Sequence, residues 1–127
     1  MMQGTMIVIS TNGTLKKTPL DREPDLETLK AGIGGGYLEA VPGFNQLVLD
    51  NNTRAPCVVY CDEDGKRKQL PANPVATKKW YESLKADGRP LRHGWNDYLV
   101  GDVVILTGDQ AFMRSLYSDG DDDDDEQ

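Results

Sequence analysis

Residues 97–108 read DYLVGDVVILTG, the run most strongly committed to a β-strand anywhere in the chain. Its valines and isoleucine are β-branched, so they sit well on a pleated surface and lose χ1 freedom in a helix. A second run, CVVYCD at residues 57–62, has the same character and is expected to be buried. Strands of this kind need a sheet around them, and the chain offers several partners. MIVIST, then Asn12-Gly13, then TLKKTPL is a hairpin signal, because Asn-Gly accepts the positive φ values of a two-residue type I′ turn. YLEAV and NQLVLD read as two further strands, separated by the turn PGF. KRKQLP, after the turn EDG, reads as a short exposed strand.

Three helices are expected between these strands. In EPDLETLKAGIG, Asp25 is placed to cap a helix of about two turns, with Leu26, Leu29 and Ile33 on one face and Gly32 where a C-cap is due. In ANPVATKKWYESLKAD, Asn73 caps and Pro74 takes the first helical position, while Val75, Trp80 and Leu84 give a partial apolar stripe. DQAFMRSLYS forms a short final helix. The expected order is β-β-α-β-β-β-β-α-β-α. This is an α+β fold: one small domain, residues 1–118, with a mostly antiparallel sheet and two or three short helices on one face.

Composition bears on the surface. The chain has 127 residues and a net charge of −7. Seven of its 21 acids lie in the last nine residues, DGDDDDDEQ, as Asp119, Asp121, Asp122, Asp123, Asp124, Asp125 and Glu126. Removing those seven leaves 14, matched by 14 Lys and Arg, so residues 1–118 are neutral apart from His93. A duplex mimic needs carboxylates spread over a rigid body at phosphate-like spacing, and a nucleic-acid binder needs a basic footprint. Neither is present, so no direct nucleic-acid contact is expected. The segment 119–127 has no apolar anchor and is expected to be a disordered tail, serving solubility or meeting a basic surface on a partner. No run approaches the ~20 apolar residues of a membrane span, and MMQGTMIVIS lacks a basic n-region, so a cytosolic protein with no membrane partner is expected.

The glycines of GIGGG, residues 32–36, raise the question of a phosphate cradle. A P-loop needs Lys and Ser or Thr after the last glycine, where this chain has Tyr37 and Leu38. A dinucleotide fingerprint runs strand, glycines, helix, so that helix N–H groups meet pyrophosphate. Here the order is helix, glycines, strand, and the helix end offered to a ligand carries the negative partial charge. The run is therefore read as a helix exit with close chain passage, and Gly32 or Gly34 should have positive φ.

Other chemistry is sparse. Cys57 and Cys61 fall on one face of a strand, roughly 13 Å apart, too far for a mutual disulfide. With His93 as the single histidine they do not form a zinc pattern, so no metal and no cofactor are expected. CDEDGKRKQ places acids beside bases at a hairpin tip, without the spacing of a calcium loop. No catalytic constellation emerges, and the chain is not expected to be an enzyme. The most interesting exposed stretch is RPLRHGWN, which holds His93 beside Arg89, Arg92 and Trp95, and Arg and Trp are the residue types that most often dominate interfaces. These four, with Asp121 to Asp125 in the tail, are the candidate partner-binding residues.

Several short motifs follow one another along the chain: Gly35-Gly36-Tyr37-Leu38-Glu39 with Val41, the hairpin tip Glu63-Asp64-Gly65-Lys66, Leu70-Pro71 with Asn73, Ala76-Thr77, and the strand Val100-Gly101 with Val103 and Ile105. In that order they resemble the phage and mobile-element family called domain of unknown function 3846. Gly34, Arg67 and Lys68 depart from that pattern, and the tail lies outside it. The resemblance implies a setting, a small accessory protein of a phage or other mobile element acting in the host bacterial cytoplasm. The expected function is non-enzymatic binding and modulation of a host protein, as in host takeover or anti-defence, with an oligomer possible. The alternative is a small-molecule binder that sequesters a nucleotide-like signal, with basic groups such as Arg89, Arg92 or Lys66 facing phosphate.

Overall fold

The computed structural model describes residues 2–51, 53–88 and 97–118. Six strands and three helices are seen among them: β1 (Gly4–Ile9), β2 (Leu15–Leu20), α1 (Leu26–Gly32), β3 (Leu38–Ala40), β4 (Gln46–Val48), β5 (Arg54–Asp62), α2 (Pro74–Ala86), β6 (Val103–Gly108) and α3 (Gln110–Ser118). All strand pairs are antiparallel. The sheet order is β2-β1-β6-β5-β3, and β4 pairs with the first half of β5 on the edge that β3 continues. The α+β class expected from the sequence is observed.

The helices, however, cover both faces rather than one. Ile7 and Ile9 of β1, Cys57 and Val59 of β5, and Val103 and Ile105 of β6 pack with Ala76, Trp80 and Leu84 of α2. The alternate residues Met6, Val8, Val58, Tyr60, Val104 and Leu106 face the other way, onto Leu29 and Ile33 around α1 and Phe112 and Met113 of α3. Side chains alternate along a strand, so a strand apolar at every position is one covered on both faces. β6 lies between β1 and β5, and its first four residues are all buried. Burying side chains of this size stabilises by about 1.5–3 kcal/mol each.

Three local expectations are corrected. The β1–β2 turn is not the two-residue type I′ form. Ser10 N–H donates to Thr14 O at 2.9 Å and Gly13 N–H to Ser10 O at 2.9 Å, a three-residue loop in which Gly13 alone takes positive φ. That is a type I turn closed by a glycine bulge. KRKQLP is not a strand: residues 63–69 are turns, and Gln69 has a φ of +61°. The strand expected over 97–108 begins only at Val103, with Val100 contributing an isolated bridge to Ala72.

Both predicted N-caps are present. The Asp25 carboxylate accepts from Thr28 N–H at 2.9 Å, and the Asn73 side chain accepts from Ala76 N–H at 3.1 Å, with Pro74 first in the helix. At the other end of α1 the C-cap is Ile33 rather than Gly32. Gly34 N–H donates to Ala31 O and Gly35 N–H to Lys30 O, the paired bonds of a Schellman ending, with Gly34 at a φ of +92°. Gly36 then passes so close to Asp62 that a Cβ there would lie 2.3 Å from the carboxylate.

Candidate functional site

The region with the most converging side chains is a cavity of about 280 Å³ at the end of the sheet where β3 pairs with β5. Its walls come from segments far apart in sequence. Glu39 lies on β3, with Val41 and Pro42 just after it; Cys61 and Asp62 end β5; Glu63 and Lys66 lie on the turn; Trp80 is on α2; residues 97–100 close the side. The backbone of that last segment is laced to α2. Asn73 N–H donates to Leu99 O at 2.8 Å, and Leu99 N–H donates to the Thr77 hydroxyl at 3.0 Å. The Tyr81 hydroxyl donates to the Asp97 carbonyl, and Trp80 Nε1–H to Pro42 O at 2.8 Å.

Asn73 is the wholly buried polar group behind this wall. Its Nδ2 donates to Ile9 O and to Gly101 O, both at 2.9 Å, while Oδ1 caps α2. One amide thereby ties the end of β1, the approach to β6 and the start of α2. Buried polar groups are tolerable only when paired, and here all three side-chain positions are paired.

Three ionisable groups of the cavity, Cys61, Asp62 and Asp97, are held away from neutrality. Burial pushes the Cys61 thiol up to about 11, with the Glu39 and Asp62 carboxylates adding to the rise. Asp62 is buried, which by itself would raise its pKa, but the Lys68 ammonium at 2.7 Å and the Asp64 N–H outweigh that and lower it. The Lys66 hydrogen bond, against a smaller opposing effect of burial, holds the Asp97 carboxyl below its ordinary value. Lys66 Nζ also stands 4.6 Å from the centroid of the Tyr98 ring. Near pH 7 the cavity thus presents a protonated thiol and ionised Asp62 and Asp97. Among the described residues its lining carries Glu39, Asp62, Glu63 and Asp97 against Lys66 as the one cation.

The candidate partner-binding residues Arg89, Arg92, His93, Trp95 and Asp121 to Asp125 lie outside the described residues. Lys66, singled out as a possible phosphate contact, is brought into the cavity, but it is paired there with Asp97. Cys57 is a buried thiol raised to about 12 by desolvation, and Cys61 is half-buried at the cavity. Asp64 of the acidic hairpin tip pairs with Arg67 at 3.1 Å, and no group of metal-ligating side chains occurs among the described residues. No described helix is long and apolar enough to cross a membrane. Sequence reasoning missed the cavity as a unit, and the Tyr98–Lys66–Asp97 contact within it. The local signal was the aromatic Tyr98 near the start of the run 97–108.

No protein-family model matches the chain, and neither a curated protein nor a solved structure is significantly similar to it.

Proposed function

We propose that this chain is a non-enzymatic binding protein that docks on a host protein and modulates it. The observation that carries the reading is the cavity beside Tyr98, a concave site with aromatic, apolar and ionised groups in which Cys61, Asp62 and Asp97 are all displaced from neutrality. General acid–base and nucleophilic catalysis draw on groups whose pKa lies near the working pH. Cys61 is moved away from that range, and Asp62 and Asp97 are moved further below it. An exposed tyrosine at the rim of such a site is, by contrast, a frequent anchor in protein recognition. Tyr98 is 46% exposed.

The motif order from Gly35 to Ile105 supports a phage or mobile-element setting, with action in the host bacterial cytoplasm. In the sequence, Arg89, Arg92, His93 and Trp95 run directly into Asp97 and Tyr98, so the two candidate surfaces are covalently continuous. The nucleotide-sequestering alternative draws less support, because among the described lining residues carboxylates outnumber ammonium groups around Lys66 and repel phosphate.

The test is capture from bacterial lysate by the full chain, by a version ending at Ser118, and by Tyr98→Ala, followed by reconstitution with the purified partner. The expected result is one partner that binds the full chain and is lost with Tyr98→Ala. A partner held equally by Tyr98→Ala, or none at all, overturns the reading.

A further inference from the structure

A cation already sits at the mouth of the cavity. The Lys66 ammonium is paired with the Asp97 carboxylate and lies over the Tyr98 ring, a carboxylate-plus-aromatic arrangement that suits any alkyl cation. The contact is loosely held, since the side chains of Lys66 and Asp97 are 52% and 50% exposed. Exposed pairs of this kind contribute little to stability and exchange readily. Also lining the cavity, the exposed Glu39 and Glu63 have no ion-pair partner among the described residues, Glu39 accepting only from the Cys61 thiol at 4.0 Å, and Val41, Pro42 and Leu99 offer apolar wall. A volume of about 280 Å³ lies at the small end of ligand pockets, the size of a side chain rather than of a dinucleotide.

From these observations we infer that the cavity receives an alkyl guanidinium or ammonium group, which displaces Lys66 from Asp97 and Tyr98. Lys66 is then a built-in competitor for the subsite. The guest's charge replaces that of Lys66 on the carboxylate, its stem follows the apolar wall, and Glu39 and Glu63 add long-range attraction. An arginine or lysine side chain of a partner protein and a free amine share this chemistry. The inference deepens the binding reading above and rests on it.

The direction of one substitution separates it from an anion site. If Lys66 contacted a phosphate, its removal would abolish binding. If Lys66 competes with a cation, Lys66→Met should tighten binding roughly two- to fivefold, the worth of one exposed ring and carboxylate contact. Asp97→Asn should weaken it about fivefold or more.

The experiment is an amide NMR titration of the full chain with three probes: N-acetyl-arginine amide, its neutral isostere N-acetyl-citrulline amide, and agmatine as the free amine. The expected result is saturable shifts at Glu39, Cys61, Tyr98 and Leu99 with the arginine probe and none with citrulline. Binding of the arginine probe ahead of agmatine assigns the site to a protein side chain, and the reverse order assigns it to a free amine. Tyr98→Leu, which removes the ring and keeps an apolar side chain, should weaken the cation if Lys66→Met perturbs the turn. Equal shifts with citrulline, no shifts with any probe, or weaker binding in a folded Lys66→Met overturn the inference. The titration requires no partner protein. Its failure alongside successful capture sinks the cation site alone, and the converse sinks the host-protein reading alone.

Discussion

Replacing Asn73 by aspartate and by serine separates two roles that this residue combines. As an N-cap, Asn, Asp and Ser are close to equivalent. As a clamp they are not, because only the amide can donate to two carbonyls while accepting from Ala76 N–H. In the native chain Nδ2 donates to Ile9 O and Gly101 O at 2.9 Å each, and the side chain is wholly buried. Serine keeps some capping but loses both donations, to Ile9 O and to Gly101 O. At ~0.5–1.5 kcal/mol for each hydrogen bond, the loss is about 1–3 kcal/mol. Aspartate keeps the cap but turns an oxygen toward two carbonyl oxygens, so it should lose at least as much. With a urea m-value of about 2 kcal/mol per molar for a domain of this size, the midpoint should fall by about 0.5–1.5 M. Tryptophan fluorescence and circular dichroism would follow the transition. The Asn73→Asp variant adds a pH signature. Its carboxyl, buried against acceptors, has a folded pKa raised above the unfolded value, so its deficit shrinks as pH falls and grows as pH rises through the folded pKa. If either variant lies within ~0.5 kcal/mol of the native chain at pH 7, Asn73 is merely a cap and the clamp reasoning is wrong.

Gly34→Ala and Gly36→Ala should differ although the glycines are two positions apart. Gly34 has a φ of +92° but open space around its Cβ position, so its replacement costs backbone strain of about 1–2 kcal/mol. Gly36→Ala would push the buried Asp62 carboxylate from Lys68 and should cost about 3 kcal/mol or more by the same urea assay; a smaller loss than Gly34→Ala would refute the close-passage account. Lys68→Met tests the Asp62 pair through pH. In the native chain the Asp62 pKa is lowered, so its contribution is present above the unfolded value of ~3.9 and lost as pH falls below it. Without the ammonium, burial dominates and the folded pKa rises, so the variant should be least stable relative to native at pH 7 and recover toward pH 4.5. A pH-independent difference in urea midpoint would count against it.

What the sequence made legible were features that are local. Asp25 and Asn73-Pro74 announce their helices, and the apolar runs at 57–62 and 97–108 announce buried strands, the second of which starts only at Val103. The two-sided cover of the sheet was written in those same runs, since Val103 and Ile105 face one core and Val104 and Leu106 the other. KRKQLP misled because its fate is set by a residue outside it: Asp62 accepts from Asp64 N–H and draws Lys68 back by an ion pair, which curls the segment. The cavity was illegible for a related reason. Glu39, Cys61, Lys66, Trp80 and Asp97 meet only after β3, β5 and α2 have assembled, and no spacing in the chain encodes that meeting.

The central place of β6 also governs how the molecule can be made. Among the described residues, 103–108 are the sole strand connection between the β1–β2 hairpin and the β3–β4–β5 group. As the chain leaves the ribosome, those two groups emerge early, each with an open edge and an uncovered apolar face. Neither can close on the other until β6 has been synthesised. Assembly is therefore deferred to the last fifth of the sequence and depends on contacts of long sequence separation, which slow folding and leave the waiting edges open to mispairing.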